Sequence, residues 1–190
     1  MHYLAIIFIA VVLSGCAGVG LQATSDPNIK IQQAYRMMDE DRALMAEDLI
    51  RQAMLDFEKT GNVEGMAEAY FAYGSLYKHH TYHNHSAIFE KWGTYDGSYN
   101  KSISNFEKAL REFEKAGSEI GVVKSLVGIG EAYNLKNLEG TSCSYYAKAL
   151  TRYNAGKESG AIGKEPVIYV KGAKNVGQVI EALMRRERCT

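Results

Sequence analysis

Residues 56–77, DFEKTGNVEGMAEAYFAYGSLY, and residues 112–133, EFEKAGSEIGVVKSLVGIGEAY, decide the fold. Laid over one another they align without a gap. Phe57 falls on Phe113, Gly61 on Gly117, Gly65 on Gly121, Gly74 on Gly130 and Tyr77 on Tyr133. Upstream, Leu49, Ile50, Ala53, Met54 and Phe57 form one apolar stripe. Ile103, Phe106, Ala109, Leu110 and Phe113 form another. Both follow the 3.6-residue helical period. A weaker third copy is Tyr146, Ala149, Leu150 and Tyr153. Gly61 and Gly117 stand where a left-handed residue closes a helix cheaply. Gly74 and Gly130 stand inside helices, where glycine costs ~1 kcal/mol relative to alanine. The spacing therefore predicts two close helix–helix approaches, with Tyr77 and Tyr133 filling the seams. A plain helical bundle has no reason to repeat the same small residue and the same tyrosine at one offset.

These residues resemble tetratricopeptide repeats, in which each unit is a pair of antiparallel helices. Leu126, Ile129, Gly130 and Tyr133 fit the first helix of such a unit, and Ser142, Tyr146 and Ala149 fit the second. Tyr70, Tyr73, Gly74 and Tyr77 fit another first helix, with Ser102, Phe106 and Ala109 as its partner. An N-terminal unit has Ala34 in its first helix and Ala46, Ile50 and Ala53 in its second. The resemblance implies an all-α, right-handed superhelix of about three helix pairs over residues 28–156. It also implies a groove lined by the first helices, which takes a peptide or a partner helix. Carried onto matching positions, that lining is Glu68, Phe71, Ser75 and Lys78, then Lys124, Val127, Glu131 and Asn134, extended by Ile31, Tyr35 and Met38. It lacks the lysine and asparagine set with which some members clamp a C-terminal carboxylate.

The pattern breaks after Tyr77. An inserted loop at about residues 80–98 holds the single tryptophan, Trp92, and most of the histidines. Long insertions in compact folds are often functional. If the helix continues, His79 and His83 lie one turn apart on one face, a spacing that can hold zinc or copper. Nothing nearby completes the ligand set; Glu90 and Asp96 are the only candidates. The plainer reading is a His- and Tyr-rich loop that covers a helix end or meets a partner, with Trp92 anchoring it to the repeats.

Residues 157–190 read as an extended segment, with Pro166–Val170 a weak strand candidate, followed by a capping helix. Val176, Val179, Ile180, Leu183 and Met184 make one stripe, and Arg185, Arg186 and Arg188 suit the negative end of a helix dipole. Repeat arrays need such a terminal helix over the last open apolar face. Cys143 and Cys189 form a candidate disulfide that would staple this cap to the last repeat.

The other end of the chain reads as a leader. Residues 3–13 are an apolar run, too short for a spanning helix of ~20 residues. Leu13-Ser14-Gly15-Cys16 follows, and resembles a bacterial lipobox. The resemblance implies a lipoprotein signal peptide over residues 1–15, acylation of Cys16, and a lipidated tether over residues 16–27. Each buried methylene contributes ~0.8 kcal/mol, so several chains anchor firmly. The leader opens Met1-His2, without the Lys or Arg that such signals normally carry. Ala17 after the cysteine, rather than Asp, implies the outer membrane, facing the periplasm.

Composition narrows the function further. Lys+Arg and Asp+Glu both number 22, giving a formal net charge of zero. A nucleic-acid binder held by phosphate contacts carries a basic excess, so that class is set aside. No phosphate-binding glycine loop, HExxH or Gly-x-Ser-x-Gly elbow is present. The expectation is a non-enzyme without cofactor: a lipid-anchored scaffold that holds another envelope protein. Two alternatives stand beside it, an immunity lipoprotein that neutralises a toxin from a rival cell and a metal-binding periplasmic protein.

Overall fold

The computed structural model describes residues 23–163, 165 and 173–189. The residues read as a leader, Cys16 and the strand candidate Pro166–Val170 lie outside the described residues. Among those described there are nine helices and no strand. They are α1 (Pro27–Asp39), α2 (Ala43–Thr60), α3 (Val63–Lys78), α4 (His80–Asn84), α5 (Ser86–Lys91), α6 (Asn100–Ala116), α7 (Glu119–Leu135), α8 (Glu139–Glu158) and α9 (Val176–Arg186). The chain is all-α, with helices packed in neighbouring pairs.

One turn recurs between them. Gly61 and Gly117 take left-handed φ of 65° and 70°, as their positions require. Asn62 and Ser118 then donate their amides to the Phe57 and Phe113 carbonyls. Asp41 and Asn137 take the same conformation between α1 and α2 and between α7 and α8, with Arg42 bonding back to Met37 and Leu138 to Tyr133. This closure reverses the chain in very few residues and satisfies the last carbonyls of each helix. The next helix starts at once: Asn62 accepts the Gly65 amide at 2.9 Å, as Asp26 does that of Asn28 ahead of Pro27.

Packing between the helices repeats as well. A methyl group built on Gly65 would lie 2.2 Å from the Phe57 ring, and one on Gly121 would lie 2.2 Å from Phe113. Gly74 receives the ring of Phe106, and Gly130 receives that of Tyr146, each at 2.6 Å from such a methyl. All four aromatic residues are fully or almost fully buried. The in-helix glycines are therefore sockets for aromatic knobs on the neighbouring helix, which offsets their cost in helix propensity. Gly177 of α9 receives the Tyr153 ring in the same way. The C-terminal helix thus docks on α8 as α3 docks on α2 and α7 on α6: it repeats the joint of a first helix as well as covering an apolar end.

The order of contacts along each pair fixes direction. Tyr77, Gly74 and Tyr70 of α3 meet Lys101, Phe106 and Lys108 of α6 in reverse sequence, so these helices are antiparallel. Glu68 and Lys78 of α3 pair with Lys124 and Glu131 of α7 in the same sequence, so these two are parallel. α1 touches α3 and α3 touches α7, whereas no comparable contact joins α2 to α6 or α6 to α8. The first helices of successive pairs therefore share one face, and the second helices stand apart on the other.

The insertion departs from expectation. It is two short helices, α4 and α5, and a turn rather than a loop. Tyr82 and Phe89 are wholly buried and hold it, whereas Trp92 is 56 % exposed. The Tyr82 hydroxyl donates to the Thr94 carbonyl at 2.9 Å and accepts the Asp96 amide at 2.8 Å. A phenol can bury its ring and still satisfy two backbone groups, which indole cannot, since it only donates. Trp92 is thus not the anchor of this segment.

Candidate functional site

Eight of the expected groove residues lie on α3 and α7 and are brought together. The Lys124 ammonium bonds Glu68, and Lys78 bonds Glu131, so two ion pairs bridge the helices. Lys124 also lies over the rings of Phe71 and Phe113, 4.6 and 4.7 Å from their centroids. Phe71 tilts against Phe106 at 5.1 Å. Ser75 and Val127 lie between these pairs, and Asn134 lies near the end of α7. All eight are partly exposed. The two lysines are therefore neutralised by the face itself; partly exposed pairs of this kind add little stability but fix side-chain positions. Glu68 and Glu131 are thus each held by a lysine of the neighbouring helix.

The extension onto α1 is mostly core. Met38 is 2 % and Ile31 6 % exposed, because α1 packs both on α2 and on α3. Tyr35 is half-buried beside Glu68 and Ser75, and burial with the nearby carboxylate holds its phenol well above the ordinary value. Ile31 and Glu68 also border an opening of about 450 Å³ between the starts of α1 and α3.

The histidines are separated. His79 ends α3 in an extended conformation and begins α4, so the helix does not continue from His79 to His83. His79 faces Asp39 at 3.9 Å and lies tilted against the His80 ring, while His83 bonds the Tyr95 hydroxyl through Nδ1 at 3.0 Å. Among the described residues no group of three or more His, Cys, Asp or Glu side chains could hold a metal ion. Burial holds the His83 imidazole below its ordinary value, against the Tyr77 carbonyl and the Asp96 carboxylate. It does the same to His79, helped by His80. Both rings take up a proton more readily unfolded than folded. The stability they contribute is complete above the ordinary imidazole range of ~6.5 and is lost as pH falls through the depressed values. The urea midpoint should therefore fall between about pH 7 and about pH 5, and fall less in His83→Gln. An equal drop in the variant would assign the effect elsewhere.

Cys143, in the first turns of α8, and Cys189, just past α9, form a disulfide with a Cα–Cα distance of 5.4 Å. At the far end of α9, Glu165 accepts the Val176 amide at 2.9 Å and the Tyr153 hydroxyl at 3.0 Å. The cap is thus held at both ends.

Two grooves on the second-helix face had no counterpart in the sequence reading. One, of about 500 Å³, lies between α2 and α6 over α3. The other, of about 530 Å³, lies between α6 and α8 over α7. Aligning the second helices from Ser104 onto Ser144 and from Lys108 onto Lys148 would have revealed them as equivalent. No helix among the described residues is long and apolar enough to cross a membrane. Compared with family models, curated proteins and solved structures, the chain matches none.

Proposed function

We propose that this chain is a tetratricopeptide-like array, anchored through lipid on Cys16, whose first-helix face holds another protein of the bacterial cell envelope. The observation that carries the reading is the side-by-side, parallel placement of α3 and α7 with α1 against α3, while the second helices stand apart. That asymmetry favours a curved array with the first helices inside, as in a right-handed superhelix of helix pairs. The face is positioned by scaffold helices rather than loops, which suits rigid recognition. Its lysines and glutamates neutralise one another, so a partner is selected by shape and apolar contact around Phe71 and Val127. Outer-membrane attachment facing the periplasm follows from the lipobox and Ala17 in this reading.

Co-purification from crosslinked envelopes tests it. Phe71→Glu should cut recovery of the partner severely. Because Phe71 also packs on Phe106, Val127→Glu, partly exposed on the same face, serves as the second variant. Loss of recovery in both, while each still shows a cooperative thermal transition, assigns the effect to the face. Cys16→Ser should move the protein out of the membrane fraction. Undiminished recovery with Phe71→Glu, or continued lipid labelling of Cys16→Ser, would refute the corresponding half. The toxin-neutralising alternative is favoured by one observation, the exposed Trp92 on the insertion, since tryptophan is a frequent interface anchor. In that case Trp92→Ala, and not Phe71→Glu, abolishes partner recovery.

A further inference from the structure

The groove between α2 and α6 has a chemistry that packing does not require. Its floor is Tyr70, Tyr73 and Tyr77 of α3, with Met54 of α2 beside them. At the equivalent positions one unit later stand Leu126, Ile129, Tyr133 and Leu110. Leu126 and Ile129 are buried there, and the joint between helices closes equally well. The fold therefore accepts aliphatic residues where this groove has Tyr70 and Tyr73, and both tyrosines remain partly exposed. Tyr73 and Tyr77 stack nearly parallel, 5.7 Å apart, as a continuous aromatic strip.

The opposite wall is α6. Lys101 lies over Tyr77 at 5.3 Å and Lys108 over Tyr70 at 5.5 Å, so a cation stands at each end of the strip. Neither lysine is within ion-pair distance of a carboxylate among the described residues, in contrast to Lys78 and Lys124 on the first-helix face. The Lys101 ammonium also donates to the Thr94 carbonyl, whose partial charge leaves its positive charge uncompensated. Seven residues separate them along α6, about 10 Å of helix axis. Ser104 and Asn105 lie between them on the same wall. Glu47 borders the Tyr77 end, where it accepts a hydrogen bond from the phenol at 3.4 Å.

We infer that this groove binds an anionic glycan, a chain of sugars that carry carboxylates. Sugar rings present apolar C–H faces that lie on aromatic rings, and hydroxyls that meet serine, asparagine and phenol groups. Two cations about two helical turns apart suit negative groups on neighbouring disaccharides. A helical peptide would instead call for an aliphatic floor, which the α6–α8 groove has with Leu110, Val122 and Leu126. The site is on the other side of the array from the partner face and does not depend on that reading.

The test is titration of the full chain in detergent with an oligogalacturonate, followed by calorimetry. The acidic oligomer should bind and the neutral cellohexaose should not. Lys101→Gln with Lys108→Gln should weaken binding about tenfold or more, the usual consequence of losing charge-assisted hydrogen bonds. Tyr70→Leu with Tyr73→Ile, which installs the residues of the sister groove, should weaken it similarly without lowering the melting temperature much. Lys148→Gln, in that sister groove, should leave it unchanged. No binding at millimolar oligomer, equal binding of polyglutamate, or binding that survives either double variant would overturn the inference.

Discussion

Phe106→Ala should lower the free energy of unfolding by about 3–5 kcal/mol, a large share of what a chain of this size has to lose. Phe106 is wholly buried and belongs to two joints at once. Its ring fills the socket at Gly74 on α3 and lies 2.8 Å from where a methyl on Gly128 of α7 would stand. Removing it opens a cavity between successive helix pairs. A companion substitution separates this account from a generic core loss. Gly74→Ala alone places a methyl 2.6 Å from the Phe106 ring, and the forced repacking costs about 1–3 kcal/mol beyond the helix-propensity gain of ~1 kcal/mol. The three atoms nearest that methyl all belong to the Phe106 ring. In a Phe106→Ala background the obstruction is gone, so Gly74→Ala should become stabilising by ~1 kcal/mol. Urea denaturation of the four proteins of this cycle measures the coupling. Simple additivity would contradict a knob-and-socket joint.

Replacing both cysteines, Cys143→Ser with Cys189→Ser, should lower stability by ~4 kcal/mol on the chain-entropy account, given a sequence separation of 46. Changing both avoids a free thiol. The loss should fall mainly on α9, because array stability is close to a sum of neighbouring contacts. What still holds α9 is buried Ile180, the Tyr153–Gly177 joint and the Glu165 bonds. Hydrogen exchange should show α9 amides losing protection while α3 and α6 keep theirs. Uniform loss across all helices would mean that the disulfide stabilises the array as one unit.

The helices were legible in the sequence because the same residue types recur at one offset. Gly61, Gly117, Gly74 and Gly130 announced turns and close approaches, and their places follow from backbone sterics and ring volume. The rings that fill the sockets at Gly74 and Gly130 are Phe106 and Tyr146, not Tyr77 and Tyr133 as the spacing suggested, and those two tyrosines are partly exposed. Gly65, Gly121 and Gly177 belong to the same scheme. That α9 repeats the packing of a first helix was hidden, since Gly177 is separated from Tyr153 by the long C-terminal connection. The insertion was legible only as an interruption. Trp92 is the most conspicuous residue there, but Tyr82 holds the segment because its hydroxyl satisfies two backbone groups in the interior. The candidate face was legible by position and not by charge state. Sequence spacing placed Lys78, Lys124, Glu68 and Glu131 on first helices, and only the parallel contact of α3 with α7 joins each lysine to a glutamate. The grooves of the second-helix face depend on helices far apart in sequence, so no local pattern announced them.

The proposed role stands or falls with the first-helix face. A photo-crosslinking amino acid at Val127, which is partly exposed on that face, should couple in intact envelopes to one defined protein, identified by mass spectrometry. The same group at Leu55, 43 % exposed on α2, should not. Crosslinking from Leu55 with none from Val127 would contradict the account.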